Sequence, residues 1–212
     1  VMSAVPESDL TRAEARRKLG LPEAVPVLLA FGLIAPYKGL EYLVSALGQW
    51  RRAGQRFTLV IAGRVKECPD YWQHVDALIK QESLTDCVIT HRRHIPDGEV
   101  EIYFKAADVL AMPYRNIFQS GVIFLAYRFG LPVVATDVGS LKEVVTADQS
   151  GFIARADDAA DLAGAIDRFF ASDLFLDQQN QRQQPRDRAS ARYSWSGIGS
   201  QTQRVYEQVL AS

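Results

Sequence analysis

The residues best suited to chemistry lie in two stretches. The first is "GLIAPYKG", Gly32–Gly39, where Lys38 sits between the turn-forming Pro36 and Gly39. The second is "IFQSGVIFLAYRFGLPVVAT", Ile117–Thr136, where a polar Gln119-Ser120-Gly121 start gives way to an apolar helical middle, a Gly-Leu-Pro break and a β-branched finish. A helix that begins on Ser-Gly carries no acidic side chain in its first turn. Its free N–H groups, equivalent to about half a positive charge, favour an anion. Gly121 lets an anion approach the backbone closely. Ser120 can cap the helix or bind a phosphate oxygen, and the cap is the simpler role. Gln119 can serve a sugar hydroxyl or face solvent. Lys38 is better placed than a helix-surface lysine to reach inward, although an ordinary surface position is its plain alternative. The chemistry on offer is recognition of a phosphorylated ligand.

The elements that must hold these residues follow from the hydrophobic pattern. Apolar runs recur at Val25–Phe31, Phe57–Ala62, Cys87–Thr90, Val109–Met112 and Pro132–Ala135, with a shorter one at Phe152–Ala154. Most are apolar at consecutive positions, which means strands covered on both faces. Between them lie expected helices at Leu40–Arg52, Tyr71–Glu82, Gly98–Ala106, Gly121–Phe129 and Ala159–Phe170. The alternation predicts an α/β fold, a Rossmann-like open parallel sheet of about six strands with helices on both faces. Ligands of such sheets bind beyond the carboxyl ends of the strands. That rule nominates the loops Gly32–Gly39, Gly63–Pro69, His91–Gly98, Pro113–Gly121 and Thr136–Glu143. They gather Lys38, Arg64, Lys66, Arg92, Arg93 and Arg115 at one rim, as an anion site requires.

The chain has 212 residues, 48% hydrophobic and 23% charged, enough for one large domain or two small ones. A net charge of -1 gives no global attraction to nucleic acid or an anionic membrane, so any affinity for phosphate is local. Cys68 and Cys87 lack a ligand-like spacing and read as reduced thiols. No apolar run is long enough to span a membrane, and "VMSAVPESDL" lacks the pattern of a signal peptide, so a cytoplasmic location is expected. A start at Val1 rather than Met reads as a piece of something longer. Residues 1–24 read as a linker and short helix, with Thr11 and Glu14 spaced as a capping box. Residues 25–172 read as the Rossmann-like ligand-binding α/β unit, and 173–212 as C-terminal helices that close it. The Gln-rich stretch before Pro185 reads as a solvated helix face.

Other sites are excluded by their missing motifs. No G-x-G-x-x-G follows the first strand, no G-x-x-x-x-G-K-[ST] occurs, and "FQSGV" lacks the first glycine of a nucleophile elbow. His74, His91 and His94 form no metal set with nearby carboxylates.

In order and spacing, "FGLIAPYKGLEYLVSAL", "FTLVIAGR", "HIPDGEVEIYFKAADVLAMPY", "GLPVVATDVGSLKEVVTADQSGFIARADDAADLAGAI" and "YSWSGIGSQTQRVYEQVL" resemble the C-terminal, donor-binding domain of GT-B retaining glycosyltransferases, family 4 in particular. The resemblance covers nearly all of the chain from Pro26. It implies transfer of a sugar from a nucleotide diphosphate sugar to an acceptor hydroxyl with retention, without a metal or other cofactor. It implies an acceptor sugar, lipid or polysaccharide held by an N-terminal domain, no nucleic acid partner, and a cytoplasmic protein at the inner membrane face where the acceptor is a lipid. The separate domain would be inactive. Lys38 falls on the family's diphosphate lysine and is the catalytic candidate. Gly32, Ser120, Gly121 and Val122 fall on the rest of the diphosphate site, and Arg64, His94 and Ile95 on the base side. Three positions depart from the family: Leu33 stands where an arginine is common, and Ile117 and Leu125 replace two glutamates with seven residues between them. Asn116 and Gln119 are left to read the sugar. The departures keep open a nucleotide-sugar-binding domain without catalysis and a docking module.

Overall fold

The computed structural model describes residues 5–147, 149–177, 186–187 and 195–210. Six parallel strands form one sheet: β1 Val27–Phe31, β2 Thr58–Ala62, β3 Val88–His91, β4 Val109–Met112, β5 Val133–Thr136 and β6 Gly151–Ala154. Their order is β3-β2-β1-β4-β5-β6. The order reverses between β1 and β4, and a crevice opens at such a switch point. The expected strands are all present, β4 with the expected bounds and the others displaced by one or two residues.

Helices α2 Leu40–Arg52, α3 Pro69–Gln81, α4 Asp97–Ala106, α5 Gly121–Arg128 and α6 Leu141–Val144 fill the crossovers, while α1 Arg12–Lys18 precedes β1 and α7 Ala159–Ala171 and α8 Asp173–Leu176 follow β6. The start of α3 lies two residues before the expected Tyr71, because Pro69 is tolerated in a first turn whose N–H groups are unpaired anyway. Successive strand residues point to opposite faces, so each strand feeds two cores. Leu28, Leu59 and Ile61 pack with Leu43 and Leu47 of α2 and Ile166 of α7. Val27, Leu29, Val60 and Leu110 pack on the other face with Phe104 of α4 and Ile123 of α5. The consecutive apolar pattern of the strands is thereby accounted for.

The N-terminal segment is tied to this body. Thr11 and Glu14 form the expected capping box at the start of α1. Arg16 of α1 is buried and donates to the Ala106 carbonyl at 3.0 Å and to Asp108 at 2.7 Å. Asp108 also accepts from the Val27 N–H at 2.7 Å, which joins the linker helix to the first strand. A further helix, Trp195–Leu210, exposes Val205, Tyr206, Val209 and Leu210. The Gln-rich stretch lies largely outside the described residues. Among the described residues, no helix is long and apolar enough to cross a membrane.

Candidate functional site

Glycines weld the loops after β1, β2 and β4 together. Gly63 has φ +151°, and a Cβ there would lie 1.8 Å from the Gly32 carbonyl oxygen. The two loops continue as a short ladder, with Ile34 N–H donating to Arg64 and Lys66 N–H to Ile34. Past Ile34 the chain makes one 3₁₀ turn, Pro36–Lys38, which ends on Gly39 at φ +63°. A Cβ on Gly39 would sit 2.0 Å from the Pro113 carbonyl oxygen, so only glycine allows this approach to the loop after β4.

That turn aims Lys38 inward rather than to bulk water. Its side chain is buried, its ammonium donates to the Tyr114 hydroxyl, and Nζ lies 4.0 Å from the centre of the Tyr114 ring. Burial lowers its pKa from 10.5 to about 8. A side chain on Gly32 would meet both Lys38 Nζ and Val122 Cγ2 at 3.7 Å, so Gly32, Lys38 and Val122 converge. Tyr114 is itself buried, which pushes its phenol above the usual range.

Opposite Lys38 stands the start of α5. Ser120 occupies the N-cap position, but its side chain makes no bond to the helix, contrary to the expected cap. Ser120 is a buried residue, and its hydroxyl offsets part of the rise that burial imposes on the Tyr114 phenol. The first turn of α5 has no acidic residue. A Cβ on Gly121 would meet nothing within 4 Å, so open space faces this glycine.

Beside this mouth runs a cleft of about 780 Å³ whose walls include Gly32, Arg64, His94, Ile95, Gly121 and Val122. Six of the residues singled out in the sequence are therefore brought together, with Lys38 and Ser120 at the edge. Asn116 and Gln119 are exposed and do not line the cleft. Leu33 and Leu125, two of the three departures from the glycosyltransferase pattern, do line it. Ile117 does not; its carbonyl oxygen is packed against Gly139.

The rim of cations is smaller than the sequence implied. Arg115 donates to Asp157 at 2.8 Å, Arg93 pairs with Glu99, and the Arg92 guanidinium lies 5.1 Å from the Trp72 ring centre. These three are held by partners of their own, whereas Lys38 and Arg64 face the cleft and its edge. His91 shares a hydrogen bond of 2.8 Å with the Tyr103 hydroxyl and stands apart from His94. The sequence reading missed Tyr114, although its place just beyond β4 nominates it by the strand-end rule. It also missed Val5 and Asp97, which line the cleft from the linker and from the start of α4. Asp97 lies within the nominated loop His91–Gly98, and no periodic signal marks Val5.

Comparison with known proteins agrees with this architecture. A family model described as glycosyl transferases group 1 matches residues 25–172. D-inositol 3-phosphate glycosyltransferase of Xylanimonas cellulosilytica is 32% identical over 212 residues, covering 96% of this chain and 47% of the relative. The 2-deoxystreptamine glucosyltransferase of Streptomyces kanamyceticus is 30% identical over 178 residues, 79% of this chain and 45% of the relative. Sucrose-phosphate synthase of Thermosynechococcus elongatus superposes with a TM-score of 0.79 at 28% identity, over 94% of this chain and 49% of that one. Anabaena HepE, solved with UDP and glucose, superposes over 100% of this chain and 55% of its own with a TM-score of 0.78; at 22% identity the likeness is one of fold. The chain spans about half the length of the curated relatives it matches.

Proposed function

Because the chain belongs to the glycosyl transferases group 1 family and is built as one half of a GT-B fold, we propose that it is the donor-binding half of an enzyme that moves a sugar from a nucleotide diphosphate sugar to an acceptor hydroxyl with retention. The observation that carries this reading is the meeting of Lys38 with the open, uncapped start of α5 at the switch point of the sheet. Breaking the anomeric bond places negative charge on the leaving diphosphate. Preorganised donors aimed at that charge speed the step, each about 3 kcal/mol of barrier in comparable sites. Here the donors are Lys38, the amides of Gly121 and Val122, and the Ser120 hydroxyl, in place of a metal ion. The base lies along the cleft toward Arg64, His94 and Ile95, and Asn116 and Gln119 stand beyond the mouth on the sugar side. The acceptor, a sugar, lipid or polysaccharide, is held by a second domain, so residues 1–212 alone bind donor without transferring it. The enzyme works in the cytoplasm, at the inner membrane face when its acceptor is a lipid.

Calorimetry of the chain with UDP, GDP and ADP against the matching nucleosides tests this. A diphosphate that binds at least about tenfold more tightly than its nucleoside supports the reading. Equal binding, or none, overturns it. A second reading has its own support: Leu33 and Leu125 make the cleft wall apolar, which favours a nucleotide-sugar-binding domain without catalysis. Transfer by the intact protein excludes that reading.

A further inference from the structure

We propose that Val5, carried on the segment before α1, is a base-contacting residue that walls the cleft far from the diphosphate mouth, and that Glu101 positions it by clamping Ser8. The inference rests on the diphosphate reading above. It adds the contact that separates a nucleotide from a bare diphosphate.

The place of Val5 follows from α5. Gly121 opens that helix at the mouth, and Leu125, one turn on, lines the same cleft. Arg128 ends the helix, and its Nε lies 4.0 Å from a carboxylate oxygen of Glu7. Seven residues of helix rise about 10 Å, so Glu7 marks the end of α5 remote from Gly121. Val5 is two residues from Glu7 and is itself a wall of the cleft. The cleft therefore runs from the open start of α5 to Val5.

The chemistry at that end is apolar. Val5, Ile95 and Val100 line the cleft, belong to one apolar cluster and are each buried. A flat aromatic base gains by covering such aliphatic side chains, whereas pyrophosphate has no apolar surface to cover them with.

A residue ahead of the first helix contributes to a site only if its segment is held. The Ser8 N–H and hydroxyl both donate to the Glu101 carboxylate, at 2.8 and 2.7 Å, across 93 residues of sequence. Bonds to an ionised acceptor are stronger than neutral ones. Lys105 donates to the Ser8 carbonyl and lies 3.4 Å from Glu101. On the other side Glu7 pairs with Arg186 as well as Arg128. The segment is thus fixed to α4 and α5, the helices whose Val100 and Leu125 line the cleft.

The test is calorimetry with UDP, GDP, ADP and inorganic pyrophosphate on the wild-type chain, Val5→Ser, Glu101→Ala and the double variant. Val5→Ser is expected to weaken nucleoside diphosphate binding about tenfold, the worth of one aliphatic side chain lost from a contact, and to leave pyrophosphate within about twofold. Glu101→Ala is expected to show the same selective loss. The double variant should lose no more than the weaker-binding single one, because Glu101 acts through Val5. Wild-type nucleotide binding by Val5→Ser, equal losses for nucleotide and pyrophosphate, or additive losses overturn the inference and leave the diphosphate reading standing. Coupling is reciprocal, so a saturating nucleoside diphosphate is expected to slow hydrogen exchange at the Ser8 amide, and pyrophosphate is not. If pyrophosphate binds too weakly to titrate, or Glu101→Ala fails to fold by circular dichroism, this exchange decides: a Ser8 amide unaffected by nucleotide overturns the inference. If the wild type itself prefers no diphosphate over its nucleoside, the underlying reading fails first.

Discussion

Nζ of Lys38 lies 4.0 Å from the centre of the Tyr114 ring and donates to its hydroxyl, so a cation is held in an aromatic surround with no carboxylate partner among the described residues. This placement is a cost to the fold. The pKa falls from 10.5 to about 8, and each unit is worth about 1.4 kcal/mol. Below pH 8 the folded and unfolded chains both carry the charge, and the full penalty of burying it applies. As pH rises from about 8 toward 10.5 the folded state sheds its proton first and the penalty disappears. Lys38→Met is expected to stabilise the protein at pH 7, by up to about 3 kcal/mol, while abolishing preference for a diphosphate over a nucleoside. Urea unfolding at neutral and alkaline pH checks it: the gain must shrink as pH rises. A variant less stable than wild type at neutral pH would contradict the assignment of that cost.

Gly121 and Gly63 are expected to differ in kind when each is changed to alanine. Gly121 faces open space, so its variant should fold as well as the wild type. The added methyl would stand in the path of a phosphate, and diphosphate affinity should fall about tenfold or more. Gly63 sits at φ +151° against the Gly32 carbonyl, and its variant should lose more than about 2 kcal/mol of stability. Thermal melts and calorimetry on both proteins separate the two effects.

Arg64 and Arg115 both belong to the cationic rim read from the sequence, which placed only Arg64 on the base side, and the fold separates them further. Arg115 is held by Asp157 and lies 3.7 Å from Glu41, whereas Arg64 lines the cleft. Arg64→Ala should weaken nucleoside diphosphate binding severalfold. Arg115→Ala should leave it within about twofold, because the guanidinium already has its counter-ions. A reversed order in calorimetric titrations would remove Arg64 from the site.

Asp108 accepts from Arg16 and from the Val27 N–H, with its carboxylate fully buried. Asp108→Asn keeps the shape but strips Arg16 of its buried counter-charge. A loss of about 3 to 5 kcal/mol is expected, with α1 the first element to exchange its amide protons. Denaturant unfolding with hydrogen exchange reads both. A loss under about 1 kcal/mol would show that the backbone carbonyls around Arg16 suffice.

The sequence by itself determined the sheet, its parallel sense and the loops that face a ligand. Consecutive apolar runs such as Val109–Met112 can be satisfied only between two helical layers, and that demand is local and needs no knowledge of neighbours. The capping box at Thr11 was legible for the same reason, since both partners lie within one turn. The order β3-β2-β1-β4-β5-β6 was not legible, and it alone sets Lys38 beside Tyr114 and the start of α5. Nor could the sequence tell which cations were free. Arg115 meets Asp157 and Arg93 meets Glu99 only once the loops are folded back on the helices. Ser120 read as a cap because caps are the commonest use of serine before a helix. In the fold its side chain leaves α5 uncapped and acts instead on the buried Tyr114 phenol. Patterns along a chain report which faces must be covered. Which groups end as partners, and which are left for a ligand, is decided by what the covering brings within hydrogen-bond reach.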